Sequence, residues 1–417
     1  MPVRRILCIA TIGFAAVFFG AFLLLARMQT RFYILPREAA LFRGEFLATS
    51  TPIIARDGDI GPQEKLPNPP KIVKAVYATN WTAGNPRLLK NLIDLIGRTE
   101  LNAMVVDVKD YTGFVAYNTA LELPKKYNAI ELRIPQFNKL VKRLHDAGIY
   151  VIARIAVFED QRLPLARNDL ALIASSTGKL WRDNKGLLWL DTAAREVWDY
   201  NLSIAQEALD RGVDEVNFDY IRFASDGPTN DIRYPLWDEK TLKTKVLRDF
   251  FSYAREKLPS AKLSADLFGL VTVDTGGLGI GQSLLYALPY FDAIAPMVYP
   301  SHYYAGFHGF PNPAAHPYEV VRYSMESAFA QSIDYESAGA ASASTTVEQF
   351  RVEHPAAVMR PWIQDFNLGA LYGAKEVRAE IQALADAASS TARADLLGGW
   401  MLWNPSNRYT EGALLPE

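Results

Sequence analysis

From Lys71 onward the chain alternates strand-like and helix-like runs, and this alternation restricts the fold more than any other feature of the sequence. Strands are expected at Val73–Thr79, Ala103–Lys109, Ile149–Phe158, Val213–Phe223, Lys262–Asp266, Ala293–Tyr299, Val358–Ile363 and Leu397–Leu402. Helical periodicity is expected between them, over Pro86–Gly97, Arg133–Ala147, Ala193–Asp210, Trp237–Leu258, Gln282–Leu288, Tyr318–Ala330 and Ala374–Ala388. Asn85 is placed to cap a helix starting at Pro86, and Gly97, Gly148 and Gly212 stop three of the helices. Such alternation requires a parallel sheet, because parallel neighbours need a crossover that a helix supplies. Eight repeats over roughly 340 residues predict an α/β fold, a closed (β/α)8 TIM-type barrel with enlarged loops. The competing fold is a doubly wound open sheet. It would carry a phosphate-binding turn after its first strand, where this chain has Asn80-Trp81-Thr82-Ala83-Gly84-Asn85. The glycine-rich stretch Gly269–Gly281 also lacks GxGxxG spacing.

The barrel is expected to follow a membrane segment. Ile6–Ala26 is a run of about twenty apolar or small residues, long enough to cross a bilayer core. Arg4 and Arg5 precede it, and no small-x-small cleavage site follows. Residues 1–27 are therefore expected to be an uncleaved signal anchor, an N-terminal transmembrane helix. Arg27, Arg31 and Arg37 put positive charge on the far side as well. With the N-terminus inside, the body stands on the periplasmic or extracellular side of the cytoplasmic membrane, in a single-pass arrangement. Residues 28–70, punctuated by proline and glycine, read as a tether, and residues 71–417 as the body. The single cysteine, Cys8, lies in the apolar run and excludes an intramolecular disulfide. A net charge of −2 gives no basic surface for nucleic acid.

Barrels place their active sites at the carboxyl ends of the strands. The fourth strand is the most informative there. In Val-Asp-Glu-Val-Asn-Phe-Asp-Tyr-Ile-Arg-Phe, Val216, Phe218 and Tyr220 alternate against Asn217, Asp219 and Ile221. Burying a carboxylate among such neighbours is costly unless something pairs with it or uses it. Other strands deliver similar groups: Asp107 and Lys109 from the second, Arg154 then Glu159 and Asp160 from the third, and Arg222 just past the fourth. Ser264 and Asp266 come from the fifth, Tyr299 from the sixth, and Trp362, Gln364 and Asp365 from the seventh. Trp403 and Asn404 end the eighth, Trp81 follows the first, and His302 follows the sixth. Lys109 and Arg154 would keep nearby carboxylates charged, and a carboxyl farther off against aromatic walls would keep its proton.

Carboxyl groups ringed by Trp and Tyr point to sugar chemistry. Glycoside hydrolysis needs two carboxyls across the scissile bond, and aromatic faces cover pyranose rings. Trp81, Trp362 and Trp403, at strand ends, are the expected subsite rings. Metal chemistry fits less well, because no strand carries His-x-His and the loop histidines are irregularly spaced. No Gly-x-Ser-x-Gly turn is present either. No metal and no cofactor are expected.

Several runs carry a resemblance: Lys-Ala-Val-Tyr-Ala-Thr-Asn-Trp at 74–81, Val-Val-Asp-Val-Lys-Asp at 105–110, Asn-Phe-Asp-Tyr-Ile-Arg-Phe at 217–223 and Ser-Ala-Asp-Leu-Phe-Gly at 264–269. Ala-Pro-Met-Val-Tyr-Pro-Ser-His-Tyr at 295–303 and Arg-Pro-Trp-Ile-Gln-Asp-Phe at 360–366 complete it. In matching order over residues 72–410, these resemble a bacterial glycoside-hydrolase-type family long carried as a domain of unknown function. The resemblance implies a TIM-type barrel related to the α-amylase and α-galactosidase superfamilies. It also implies a nucleophilic Asp at the fourth strand's end, matched by Asp219, and an acid/base carboxyl at the fifth strand's end. Asp266 takes that second place, where those superfamilies usually have Glu, and Asp365 is the reserve acid. Asp219 and Asp266 are thus the expected catalytic pair. Trp81, Asp107, Lys109, Arg154, Asn217, Arg222, Tyr299, His302, Trp362, Gln364, Asp365 and Trp403 are the expected substrate-binding groups. The function expected is cleavage of an envelope or extracellular poly- or oligosaccharide, and the alternative is a non-catalytic polysaccharide-binding barrel.

Overall fold

In a computed structural model, which describes residues 58–340, 356–391 and 393–416, parallel strands close on themselves. They are β1 Val73–Ala78, β2 Ala103–Lys109, β3 Tyr150–Ala156, β4 Glu215–Asp219, β5 Lys262–Phe268 and β6 Ala293–Met297. β7 is split into Val358–Met359 and Trp362–Gln364, and β8 is Gly399–Trp403. Each strand pairs with the next in chain order, and β8 pairs with β1, closing the barrel. Pro361 interrupts β7: the first half pairs with β6 and the second bonds both β6 and β8.

Alternation along the strands sorts the core into two layers. Val76, Ala78, Met104, Val106, Val151, Ala153, Val216, Phe218, Leu263 and Ala265 face outward. They meet the helices α1 Pro86–Ile96, α2 Phe137–Asp146, α3 Arg195–Asp210, α4 Lys243–Lys257, α5 Leu284–Ala287, α6 Pro317–Ala340 and α7 Ala374–Ser390. α1 shows how a helix is specified. Asn85 accepts bonds from the amides of Arg87 and Leu88, Pro86 opens the first turn, and Leu89, Leu92, Leu95 and Ile96 form the buried stripe. Each such leucine contributes about 1.5–3 kcal/mol of burial.

The barrel interior is half apolar and half polar. Val73, Ala75, Val105, Ile152, Ala295 and Met401 fill one side. On the other, β4 turns Glu215, Asn217 and Asp219 inward, and β5 turns Ser264 and Asp266 inward. Glu215 is neutralised low in the barrel by Arg360 at 2.7 Å and also accepts from Ser264 Oγ at 2.5 Å. The upper end of this polar side is where the pocket opens.

Helix boundaries differ from expectation where local chemistry intervenes. α2 begins at Phe137, because Pro135 bars the preceding residue from helical geometry. That frees Arg133, which reaches Asp110 at 2.6 Å. α4 begins at Lys243, because the Asp238 carboxylate draws the amides of Lys240 and Thr241 into a turn. β4 ends at Asp219, so Tyr220 leaves the expected alternation with Val216 and Phe218, and Ile221 packs in the outer core.

The apolar run at 6–26 and the first part of the expected tether lie outside the described residues. Among the described residues no helix is long and apolar enough to cross a membrane. Residues 58–70 lie against the barrel. Asp59 accepts from the amides of Asn138 and Lys139 in the first turn of α2, and the Leu66 amide donates to Asp214 at 2.7 Å.

Candidate active site

The site is built around Arg154, whose guanidinium rises from β3 and is 5% exposed. Nη1 donates to Asp107 Oδ1 on β2 at 2.6 Å, and Nη2 to Asp219 Oδ2 on β4. Nε stands 3.5 Å from Asp266 Oδ2 on β5 and has no hydrogen-bond partner among the described residues. One cation therefore holds carboxyl groups from three strands. Asp107 also accepts from the Tyr77 hydroxyl at 2.5 Å. Asp266 Oδ1 accepts from Asn217 Nδ2 at 2.9 Å and from the Trp362 indole at 2.7 Å. With two donors on Oδ1, any proton on Asp266 sits on Oδ2. Asp219 Oδ1 accepts from the amide of Tyr220, at 2.5 Å. Tyr220 has a φ of +52°, a left-handed conformation that tyrosine rarely adopts.

A cavity of about 280 Å³ opens above these groups. Its charged lining is Arg154, Asp219 and Asp266, and Tyr220, Phe268, Met297, Tyr299, Trp362 and Trp403 supply much of its wall. Gly269 is required there, since a Cβ would come within 2.4 Å of the Met297 carbonyl and 2.6 Å of the Tyr303 hydroxyl. Trp403 stacks on Tyr77, ring centres 4.1 Å apart, with the Arg154 guanidinium 5.2 Å from its own ring centre.

The electrostatics separate the carboxyls. Burial pushes Asp266 well above the ordinary carboxylate range, to about 8, and the neighbouring Asp219 adds to this while Arg154 opposes it. Burial likewise raises Asp107 against the pull of Arg154. Burial raises the Tyr77 phenol, so it stays a donor to Asp107. Burial and then the charge of Lys185 push His302 down, so this pocket histidine is neutral near pH 7.

Seven of the residues expected from sequence line the cavity: Arg154, Asp219, Asp266, Tyr299, His302, Trp362 and Trp403. Asp107 and Asn217 stand directly behind, bonded to Arg154 and Asp266. The other expected binding residues lie elsewhere. A register shift between Asp107 and Lys109 re-aims the lysine, which pairs with Asp160 at 2.8 Å and donates to the Ala156 carbonyl, fully buried. Trp81 is 59% exposed on the rim, with the Arg133 guanidinium 5.0 Å from its ring. Gln364 is consumed by the Ser301 amide and the Phe366 carbonyl. Asp365 has both oxygens engaged by Thr410, which removes it as reserve acid. Arg222 flanks the cavity. Sequence reasoning missed Tyr77, although Val73, Ala75 and Tyr77 alternate inward and the same counting would have found it.

Replacing Arg154 with Met strips the shared cation from Asp107, Asp219 and Asp266. The expected cost is about 3–5 kcal/mol by urea unfolding at neutral pH. The cost should shrink as pH falls and the carboxyls gain protons; a loss independent of pH would contradict the charge account.

The sequence model of a family described as "Putative glycosyl hydrolase domain" matches residues 75–409. No match is found among curated proteins. Among solved structures, the chain is 37% identical to a hypothetical protein from Ruminiclostridium thermocellum, over 46% of this chain and 96% of that one, with a TM-score of 0.43. It is similar in fold to the PgaB (BpsB) glycoside hydrolase domain from Bordetella bronchiseptica, at 14% identity, 81% and 95% coverage and a TM-score of 0.54. It is similar as well to alpha-L-fucosidase isoenzyme 2 from Paenibacillus thiaminolyticus, at 12% identity, 82% and 48% coverage and a TM-score of 0.50. Because the family match runs through all eight strands and every residue of the pocket, the chain belongs to this glycosyl hydrolase domain family.

Proposed function

We propose that this glycoside hydrolase is held at the outer face of the cytoplasmic membrane by residues 1–27 and cleaves an envelope or extracellular polysaccharide. The observation that carries the chemistry is one guanidinium touching Asp219 and approaching Asp266, whose surroundings treat them differently. Asp219 is the nucleophile: its carboxylate faces the cavity from the end of β4, backed by Arg154. Asp266 is the acid/base, kept protonated by burial and free to donate from Oδ2. With Asp219 as nucleophile and Asp266 as acid/base the course is double displacement with retention, which a carboxyl separation of about 5–5.5 Å would suit.

In the first half-reaction Asp266 protonates the leaving oxygen while Asp219 bonds the anomeric carbon. In the second, the Asp266 carboxylate takes a proton from water as the water oxygen bonds the anomeric carbon, and the bond from that carbon to Asp219 breaks to release the sugar. Arg154 offsets negative charge as it moves between the two. Trp403 and Trp362 offer faces to sugar rings, and Tyr299 and neutral His302 offer hydroxyl partners. Tethering is supported by the length and apolarity of Ile6–Ala26.

The test is incubation of the full chain in detergent with a panel of bacterial polysaccharides, reading new reducing ends. Absence of cleavage across the panel, with ligand binding intact, would leave only a binding barrel. Trp403→Leu should raise KM about tenfold, about 1.4 kcal/mol of ground-state binding, with a smaller change in kcat. A loss confined to kcat would mean the ring acts through Arg154 instead.

A further inference from the structure

Arg222, three residues past Asp219, is buried at 9% exposure. The other buried arginines, Arg133, Arg154, Arg211 and Arg360, each have a carboxylate partner. Arg222 has none within 4.0 Å among the described residues. Nη1 donates to the Phe223 carbonyl at 3.3 Å and to Ser225 Oγ at 3.1 Å. The head lies 4.5 Å from the Trp189 ring, 5.0 Å from Phe268 and 5.8 Å from Tyr220. Phe268 and Tyr220 line the cavity and Arg222 does not, so the guanidinium stands beside the pocket, across these two rings from it. A desolvated cation without a counter-charge is costly, and a fold keeps one where a ligand supplies the charge.

The nearest acid in charge terms is Glu159, 4% exposed just past β3. Burial lifts its carboxyl to about 7; Arg222 and Lys185 oppose the rise, and Asp183 and Asp219 add to it. Near neutral pH it only partly offsets Arg222, and in its acid form it is a donor.

We propose that Arg222 and Glu159 form an anion subsite adjoining this pocket beyond Tyr220 and Phe268, and that the polysaccharide cleaved carries a carboxylate on the sugar that reaches it, as a uronic acid does. This rests on the glycosidase reading and names its substrate class. The free edge of the Arg222 fork takes the carboxylate oxygens, and Glu159 as the acid donates a further bond. The aromatic rings around Arg222 exclude water and strengthen the pairing.

The experiment compares oligosaccharides of polygalacturonate, glucuronan, alginate and hyaluronan with copies whose carboxyls have been reduced to alcohols. Binding is read by calorimetry on full-length D219N protein, and cleavage on wild type. At least one acidic ligand should bind 10–100-fold tighter than its reduced copy, roughly the worth of a charged pair. R222Q should erase that preference and R222K restore part of it. E159Q, which cannot ionise, should keep the preference from pH 6 to 8, where wild type loses it. If no acidic ligand beats its reduced copy, or the preference survives R222Q, the subsite is refuted. Should R222Q fail to fold, a pH-dependent preference retained unchanged in E159Q refutes it equally. Cleavage of neutral polymers alone would overturn the subsite and leave the hydrolase. Acid-selective binding without cleavage would do the reverse.

Discussion

Asp219→Asn is expected to lower kcat/KM on any polysaccharide the enzyme cleaves by about 10³-fold or more, while leaving the barrel folded. The amide keeps the shape of the carboxyl, so its oxygen can still accept from the Tyr220 amide or from Arg154. It cannot attack an anomeric carbon or carry the charge that stabilises one. Stability should suffer less than in Arg154→Met, because Arg154 keeps Asp107 at 2.6 Å and Asp266 Oδ2 at 3.5 Å. Asp219 is itself one of the causes that raise Asp266. Removing its charge should therefore let Asp266 lose its proton at lower pH, which carbon-13 NMR of the labelled carboxyl would detect. Turnover above a tenth of wild type would take Asp219 out of the mechanism. An unmoved Asp266 titration would mean that the two carboxyls are not coupled. A sharper variant is Asp219→Gly supplied with azide and an activated aryl glycoside. If Asp219 is the nucleophile, azide enters its place and a glycosyl azide of inverted configuration accumulates.

Much of this site can be read before any coordinates, because a parallel barrel turns alternate residues inward and places strand ends at one mouth. Counting by twos along β4 places Asn217 and Asp219 inside, and along β5 it places Ser264 and Asp266 inside; both hold. The failures have local causes that a count by twos cannot see. The register shift at Asp107 and Lys109 sends two residues of apparently equal phase to different partners. Asp365 looks free in sequence, and Thr410, 45 residues later, occupies it. The indole of Trp362 binding Asp266 depends on β5 and β7 flanking β6 and turning these two side chains into the same interior, a relation set by barrel curvature rather than by neighbours in the chain. Glu159 belongs to the same class, since its neighbourhood is assembled from β3, the end of β4 and the loop carrying Asp183 and Lys185. Pairwise order along the sheet is legible from alternation; contacts inside the barrel are not.

Asp266 links both catalysis and stability to pH, each falling as pH rises but in different windows. An acid must hold its proton to donate it, and burial raises this one from 3.8 to about 8. kcat/KM should then be sustained through neutral pH and fall up to tenfold per unit above about pH 8. Asp266→Asn should remove that alkaline limb and cost about 10²–10⁴-fold on natural linkages. The cost should be far smaller with a dinitrophenyl leaving group, which needs no proton. The stability effect has the same sign but lies in a lower window. In the unfolded chain the carboxyl ionises near 3.8, so between that value and about 8 the native state retains a proton the unfolded state has released. Across this window the native state loses up to about 1.4 kcal/mol per pH unit from this group, and above it the effect is constant. Asn cannot ionise, so the melting temperature of Asp266→Asn should gain on wild type steadily from pH 5 to pH 8 and then run parallel. The wild-type protein would thus be less stable at its working pH than a dead variant, because a carboxyl kept ready to donate is also one kept out of water. A gap in melting temperature that does not change with pH, together with an alkaline limb that persists in the variant, would place the titrating group elsewhere, with Glu159 the next to replace.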